Sequence, residues 1–273
     1  MLTFVGLGLH DERSVTVAGR RAIRDADRVF AEFYTSRLVG ATLPDLEAFH
    51  GVDVEVRGRA GVEDDPEAVL SAAEVGDVVF ATAGDAMVST THVDLRLRAE
   101  ARGIETRLVH GPSAATAAAG LTGLQNYRFG KAVTLPFPHA HGGGDVPGSV
   151  VDSVAANRDR GLHTLVYLDI EVDPAERRRR GDDRTDDDPA FMTADAAAGL
   201  LAGVDGWPDR LGVAVARAGS PDPVVAADAL SGLAERDFGD PLHLLVIPGD
   251  LHHIEADALR ELAGAPADLV NVD

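Results

Sequence analysis

The 273-residue chain is predicted to be an α/β protein built from two α/β domains. Short apolar runs alternate with stretches of helical spacing, which implies mostly parallel sheets covered by helices. Glycine-bearing turns close several of those runs, as where open α/β sheets receive ligands. Turn-rich ground around Gly111-Pro112 divides the pattern into roughly 110 and 160 residues, both ordinary domain sizes. The domains are therefore placed at residues 1–111 and 112–273.

Leu2 to Val5 reads as a short buried strand. Ser14 is a candidate N-cap for a helix reaching about Asp27, with Val17, Ala18, Ala22, Ile23 and Ala26 near helical spacing. Val29 to Phe33 and Val78 to Ala81 read as strands, and nothing is assigned between them. A helix from about Thr91 to Ala101 is closed by Gly103, and Thr106 to Val109 is the next strand. Ser113 precedes an alanine-rich helix, Ala114 to Gly120. Beyond it the strands are Lys131 to Leu135, Thr164 to Ile170, Leu211 to Ala216 and His243 to Ile247. The helices between and after them are Val150 to Asn157, Ala194 to Ala202 with Thr193 as its cap, and Ile254 to Ala263. Residues 171–189 are dense in charge and read as a solvated insertion loop.

Composition excludes several classes. With no cysteine, disulfides, thiolate metal sites and cysteine nucleophiles are all ruled out. No apolar run approaches the ~18 residues of a membrane span, and the first residues lack a signal-peptide pattern, so a cytoplasmic protein without a membrane partner is expected. Asp and Glu number 45 against 25 Lys and Arg, a formal charge of −20, and Lys131 is the only lysine. Such a surface repels nucleic acid, and the basic run Arg177 to Arg180 is cancelled by neighbouring aspartates. It suits a salt-rich cytoplasm, where a Debye length of about 3 Å at 1 M screens self-repulsion.

Three turns are candidates for ligand binding. Gly6-Leu7-Gly8-Leu9 lacks the third glycine of a dinucleotide fingerprint, since Asp11 stands there, and no Gly-Lys-Ser/Thr follows to make a phosphate loop. Residues 81 to 92, ATAGDAMVSTTH, end a strand in Gly84-Asp85, where a carboxylate can accept from ribose or attract a cation. Residues 110 to 120, HGPSAATAAAG, allow close approach by a ligand or by a helix. Glycines, a carboxylate and small polar residues without a phosphate clamp suit an adenosine ligand with a positive centre, such as S-adenosylmethionine. The pair His252-His253 with His139 and His141 has no third ligand at metal spacing, so no metal is expected. Ser113 lacks the glycine of a nucleophile elbow.

The segments LTFVGLGLHDERSVTVAG, AEFYTS, TAGDAMVSTTH, RGLHTLVYLDI, ARAGS and DFGDPLHLLVIPGDLHHIEADALRELAGAP resemble the diphthine synthases in their archaeal form. That family is of the tetrapyrrole-methylase type, and the resemblance spans nearly the whole chain. It implies two α/β domains with S-adenosylmethionine in the cleft between them, leaving S-adenosylhomocysteine as product, and a homodimer. The cofactor contacts it implies fall on Leu9, Asp85, Val88, Ser113 and Ala114, and on Leu168, Ala218 and His243. The implied partner is translation elongation factor 2, methylated three times on the α-amino group of a 3-amino-3-carboxypropyl-histidine.

The chain departs from the family at residues 173 to 189, at His139 to Gly144, and at Ala86, where relatives commonly have proline. The last change predicts a slightly softer loop. Asp11, Glu12, His92 and His243 are the groups available to take the acceptor amine's proton, and none is assigned that role. Arg96, Arg98 and Arg128 are expected to meet the substrate carboxylate. The rival readings are a porphyrinoid methylase, a nicotinamide-dependent oxidoreductase and a non-catalytic S-adenosylmethionine sensor.

Overall fold

A computed structural model describes residues 1–144, 146–172, 179 and 188–271. The chain divides into two compact units, Met1–Ala114 and Ala115–Asp273, three residues beyond the division expected from the turns.

The first unit is a parallel sheet in the order β3-β2-β4-β1-β5. Its strands are β1 (Leu2–Gly6), β2 (Arg28–Glu32), β3 (Val54–Val56), β4 (Val78–Thr82) and β5 (Thr106–Val109). Helices α1 (Val17–Asp25), α2 (Leu43–His50), α3 (Glu67–Val75) and α4 (Val93–Ala101) connect them. Helix α1 starts two residues later than expected from Ser14, because Thr16 is the N-cap, its hydroxyl accepting from Gly19 N at 3.1 Å. Ser14 instead donates to Asp11 Oδ1 at 3.1 Å. Helix α2 was not assigned from sequence, yet its start is encoded locally: Thr42 and Asp45 form a capping box and Gly51 closes the last turn at φ 73°. Strand alternation divides the core between the two faces. Val5, Val29, Val79 and Ala81 meet Ile23 of α1 and Leu46 of α2, while Phe4, Phe30 and Phe80 are buried on the other face.

After α5 (Ala114–Thr122), the second unit holds a five-stranded sheet in the order β11-β10-β12-β7-β6. These strands are β6 (Val133–Leu135), β7 (Thr164–Leu168), β10 (Leu211–Ala216), β11 (Val224–Ala229) and β12 (His243–Ile247). The expectation of a mostly parallel sheet fails here. Only β6–β7 is parallel, and the pairs β7–β12, β12–β10 and β10–β11 are antiparallel. Strands β10 and β11 are joined by a loop without a helix, and so short a return permits only antiparallel pairing. Helices α6 (Gly148–Arg158), α7 (Ala194–Ala202), the short α8 (Leu230–Leu233) and α9 (His253–Ala263) complete the unit. Its core gathers Leu135, Val154, Val166, Leu201, Trp207, Leu230, Leu233 and Leu245. Strands β8 (Ile170–Glu171) and β9 (Ala190–Phe191) pair at the base of the charged insertion, most of which lies outside the described residues.

Candidate functional site

Three of the first unit's turns lie at the carboxyl ends of adjacent strands β4, β1 and β5. From β1 the chain crosses to β2 on one side, and from β4 to β5 on the other, so β1 and β4 flank the topological switch point. Open α/β sheets bind ligands at such a point. Gly8 and Gly84 clasp the two turns together, Gly8 N donating to Gly84 O at 3.1 Å and Gly84 N to Gly8 O at 2.6 Å.

The glycines there serve different purposes. A Cβ on Gly6 would stand 2.6 Å from Gly84 O and 2.7 Å from Gly111 N, and one on Gly8 would strike Ser14 at 2.5 Å. Both are packing glycines. Gly84, at φ 73°, has nothing within 4 Å of a would-be Cβ, so its face is open to a ligand.

Asp85 is 7% exposed, and its carboxylate is largely engaged within the unit. Oδ1 accepts from Met87 N at 2.9 Å, while Oδ2 accepts from Gly111 N at 3.2 Å and from His110 Nδ1 at 2.8 Å. A carboxylate offers about four acceptor positions, so little capacity remains for a ribose, though its charge persists at the switch point. Leu9 is half-buried after β1, Val88 is exposed after the Gly84-Asp85 turn, Ser113 is buried, and Ala114 opens α5 half-buried.

A buried carboxylate missed from the sequence supports this end of the sheet. Glu32, fully buried at the end of β2, accepts from Tyr34 N at 2.9 Å, Thr35 N at 3.0 Å, and the hydroxyls of Thr35 and Thr82. The AEFYTS segment thus ties the ends of β2 and β4 together; a charged residue closing an apolar strand was the available signal. His92 Nε2 lies 3.4 Å from Glu32, and Nδ1 donates to Ala86 O at 3.2 Å. Burial pushes the His92 imidazole below its ordinary value, against the pull of Glu32. The loop expected to be softer for want of a proline is therefore held by His92.

In the second unit, Leu168 ends β7 buried, Ala218 is half-buried in the turn after β10, and His243 opens β12 with 5% exposure. Both ring nitrogens of His243 are used: Nε2 donates to Asp240 O at 2.9 Å, and Nδ1 accepts from Ala194 N at 3.1 Å. That second bond caps α7 in place of Thr193, which makes no side-chain cap. Burial pushes the His243 imidazole down.

The expected role for Arg128 does not stand. It donates to Glu255 Oε2 at 2.7 Å and to Gly161 O at 3.3 Å, a buried carboxylate having claimed it. Arg96 bonds Thr106, and Arg98 bonds Asp94 and the Glu63 carbonyl. Among the described residues no group of three or more histidines, aspartates or glutamates could hold a metal ion. The His252-His253 pair is explained otherwise, because His252 and Glu255 form the capping box of α9.

Residues 1–200 match the family of Tetrapyrrole (Corrin/Porphyrin) Methylases. The chain is 70% identical to the diphthine synthase of Halorubrum lacusprofundi over 99% of both chains, and 68% identical to that of Halobacterium salinarum over 98% of this chain and 99% of the other. A crystal structure of diphthine synthase superposes with a TM-score of 0.87 at 38% identity, covering 100% of this chain and 99% of that one. The chain belongs to the diphthine synthase family.

Membership makes it an S-adenosylmethionine-dependent methyltransferase. The donor set of the first unit fits that cofactor. An open glycine face, backbone carbonyls and the buried negative charge of Asp85 favour a sulfonium, and no lysine stands among the turns to clamp a polyphosphate. Among the described residues no helix is long and apolar enough to cross a membrane.

Proposed function

We propose that the chain methylates the α-amino nitrogen of the 3-amino-3-carboxypropyl-histidine on translation elongation factor 2, three times, yielding diphthine. The observation that carries this reading is the 70% identity, along the full length of both chains, to a protein named diphthine synthase. We assign the cofactor contacts to Leu9, Asp85, Val88, Ser113 and Ala114 in the first unit and to Leu168, Ala218 and His243 in the second. When bound, S-adenosylmethionine would supply an electrophilic methyl on a sulfonium, open to in-line attack by a neutral amine with a neutral thioether as the leaving group.

What the chain supplies is position and field. Asp85 favours the positive centre, and its turn is braced by the Gly8–Gly84 clasp and by His92. His243 contributes main chain alone, its ring being committed to α7. The enzyme acts as a cytoplasmic homodimer, which sedimentation in concentrated KCl tests directly. Labelled methyl transfer to aminocarboxypropylated elongation factor 2, with mass spectrometry counting the methyls, tests the activity. Label entering a porphyrinoid and not the factor would overturn the reading.

A further inference from the structure

The proposed reaction needs a proton acceptor. An α-amine reaches neutral solution as an ammonium, and its nitrogen has no lone pair until a proton leaves. The groups singled out from sequence are poorly placed for this. His92 is 1% exposed with its Nδ1 on Ala86 O, and His243 has both nitrogens engaged. Asp11 accepts from Arg13 N and from the Ser14 hydroxyl, and Glu12 pairs with Arg13.

His110 is different. It follows β5 at the head of the HGPSAATAAAG turn, and its side chain is 72% exposed, whereas that of Asp85 beside it is 5% exposed. An ionised carboxylate only accepts, so the 2.8 Å contact with Asp85 Oδ2 makes Nδ1 the protonated nitrogen. With Nδ1 donating, the neutral tautomer carries its lone pair on Nε2, on a side chain that is 72% exposed. Asp85 is fixed in its turn by Gly111 N and Met87 N, so the ring is held through a carboxylate that cannot swing away. A buried aspartate, a protonated Nδ1 and an accessible Nε2 are the parts by which an imidazole serves as general base. The same Asp85 stands beside the open face of Gly84, which brings the base to the turn assigned to the cofactor.

We propose that His110 takes the proton from the substrate ammonium and that Asp85 sets its tautomer and aim. This rests on the function proposed above. In each round Nε2 accepts one proton, the freed nitrogen pair forms the bond to the methyl carbon, and the carbon–sulfur bond breaks with its pair left on sulfur as a neutral thioether. The exposed imidazolium then returns its proton to solvent. Three transfers release three protons, and the quaternary product has none left to lose.

The test uses the full-length enzyme, with His110→Ala and His110→Gln compared with wild type. Calorimetry should find S-adenosylmethionine affinity within about twofold of wild type, while single-turnover methyl transfer to aminocarboxypropylated elongation factor 2 falls about 10²-fold or more. Added imidazoles should restore transfer by His110→Ala, the rate rising with the basicity of the imidazole, and should leave wild type unchanged. Wild-type rates in both variants would overturn the proposal. So would a loss of rate matched by loss of cofactor affinity and unrelieved by imidazole, since that marks a structural role. Wild-type enzyme that labels no elongation factor would count against the function itself, a separate outcome.

Discussion

Replacing Glu255 by alanine should unfold the second unit more readily than any loss of buried apolar volume would suggest. The carboxylate is fully buried at the start of α9, and all four of its acceptor positions are filled. Oε1 accepts from Gln125 N at 2.9 Å and His163 Nε2 at 3.0 Å, and Oε2 from Arg128 Nη1 at 2.7 Å and His252 N at 2.8 Å. Burial works against the charge, but the N–H groups of His252 and Gln125 and the His163 ring hold the carboxyl below its ordinary value. Removing it strands a guanidinium, an imidazole N–H and two backbone N–H groups. Breaking one partner of a buried ion pair costs about 3–5 kcal/mol. At about 2–4 °C per kcal/mol for a unit of this size, Tm should fall by about 6–20 °C. Glu255→Gln should recover less than half of that loss, because its amide nitrogen must point a donor at donors. Urea unfolding followed by circular dichroism in concentrated KCl measures both variants. A loss under about 1 kcal/mol for Glu255→Ala would refute the reasoning, since water would then be replacing the carboxylate.

Asp85→Ala loosens the turn held through Met87 N and Gly111 N and removes the negative charge offered to the sulfonium, and a lost charge partner costing about 3 kcal/mol should weaken S-adenosylmethionine binding about 10²-fold by calorimetry; near-normal affinity would show the cofactor turn is misplaced. Gly6→Ala should prevent the β1, β4 and β5 turns from closing, whereas Gly84→Ala, strained by about 1–2 kcal/mol at positive φ but meeting no atom, should fold and lose mainly ligand affinity. Burial depresses the imidazoles of His50, His163 and His243 from a reference of 6.5, so the unfolded chain binds protons first. Stability should be full above pH 6.5 and fall as pH drops below it, by up to about 1.4 kcal/mol per unit for each group; a flat urea midpoint from pH 8 to 5 would contradict this. Raising KCl from about 0.1 to 1 M, which shortens the Debye length from about 10 to 3 Å, should raise Tm given the charge of −20.

The chain's local physics was legible in the sequence. Strands β5, β10 and β12 and helix α7 have the limits read from their apolar runs, and glycine marks the turns at Gly6, Gly84 and Gly111. Caps were less so: Thr16 displaced Ser14, and His243 replaced the Thr193 hydroxyl at α7. Helix α2 carried a readable capping box, but β3 and β11 lacked a distinctive pattern. Strand direction in the second sheet escaped the alternation rule, which fixes the order of elements and not the sense of their pairing.

What the sequence determined by itself was whatever depends on neighbours within a turn or a strand: strand limits, glycine turns, the acidic surface and the family segments. Only the tertiary structure decided that Gly6 packs while Gly84 opens, that Glu255 engages Arg128 across 127 positions, and that Asp85 holds His110 across 25. Those partners meet because the strands lie side by side in a particular order. No propensity confined to a few residues encodes which distant carboxylate an arginine or an imidazole will reach.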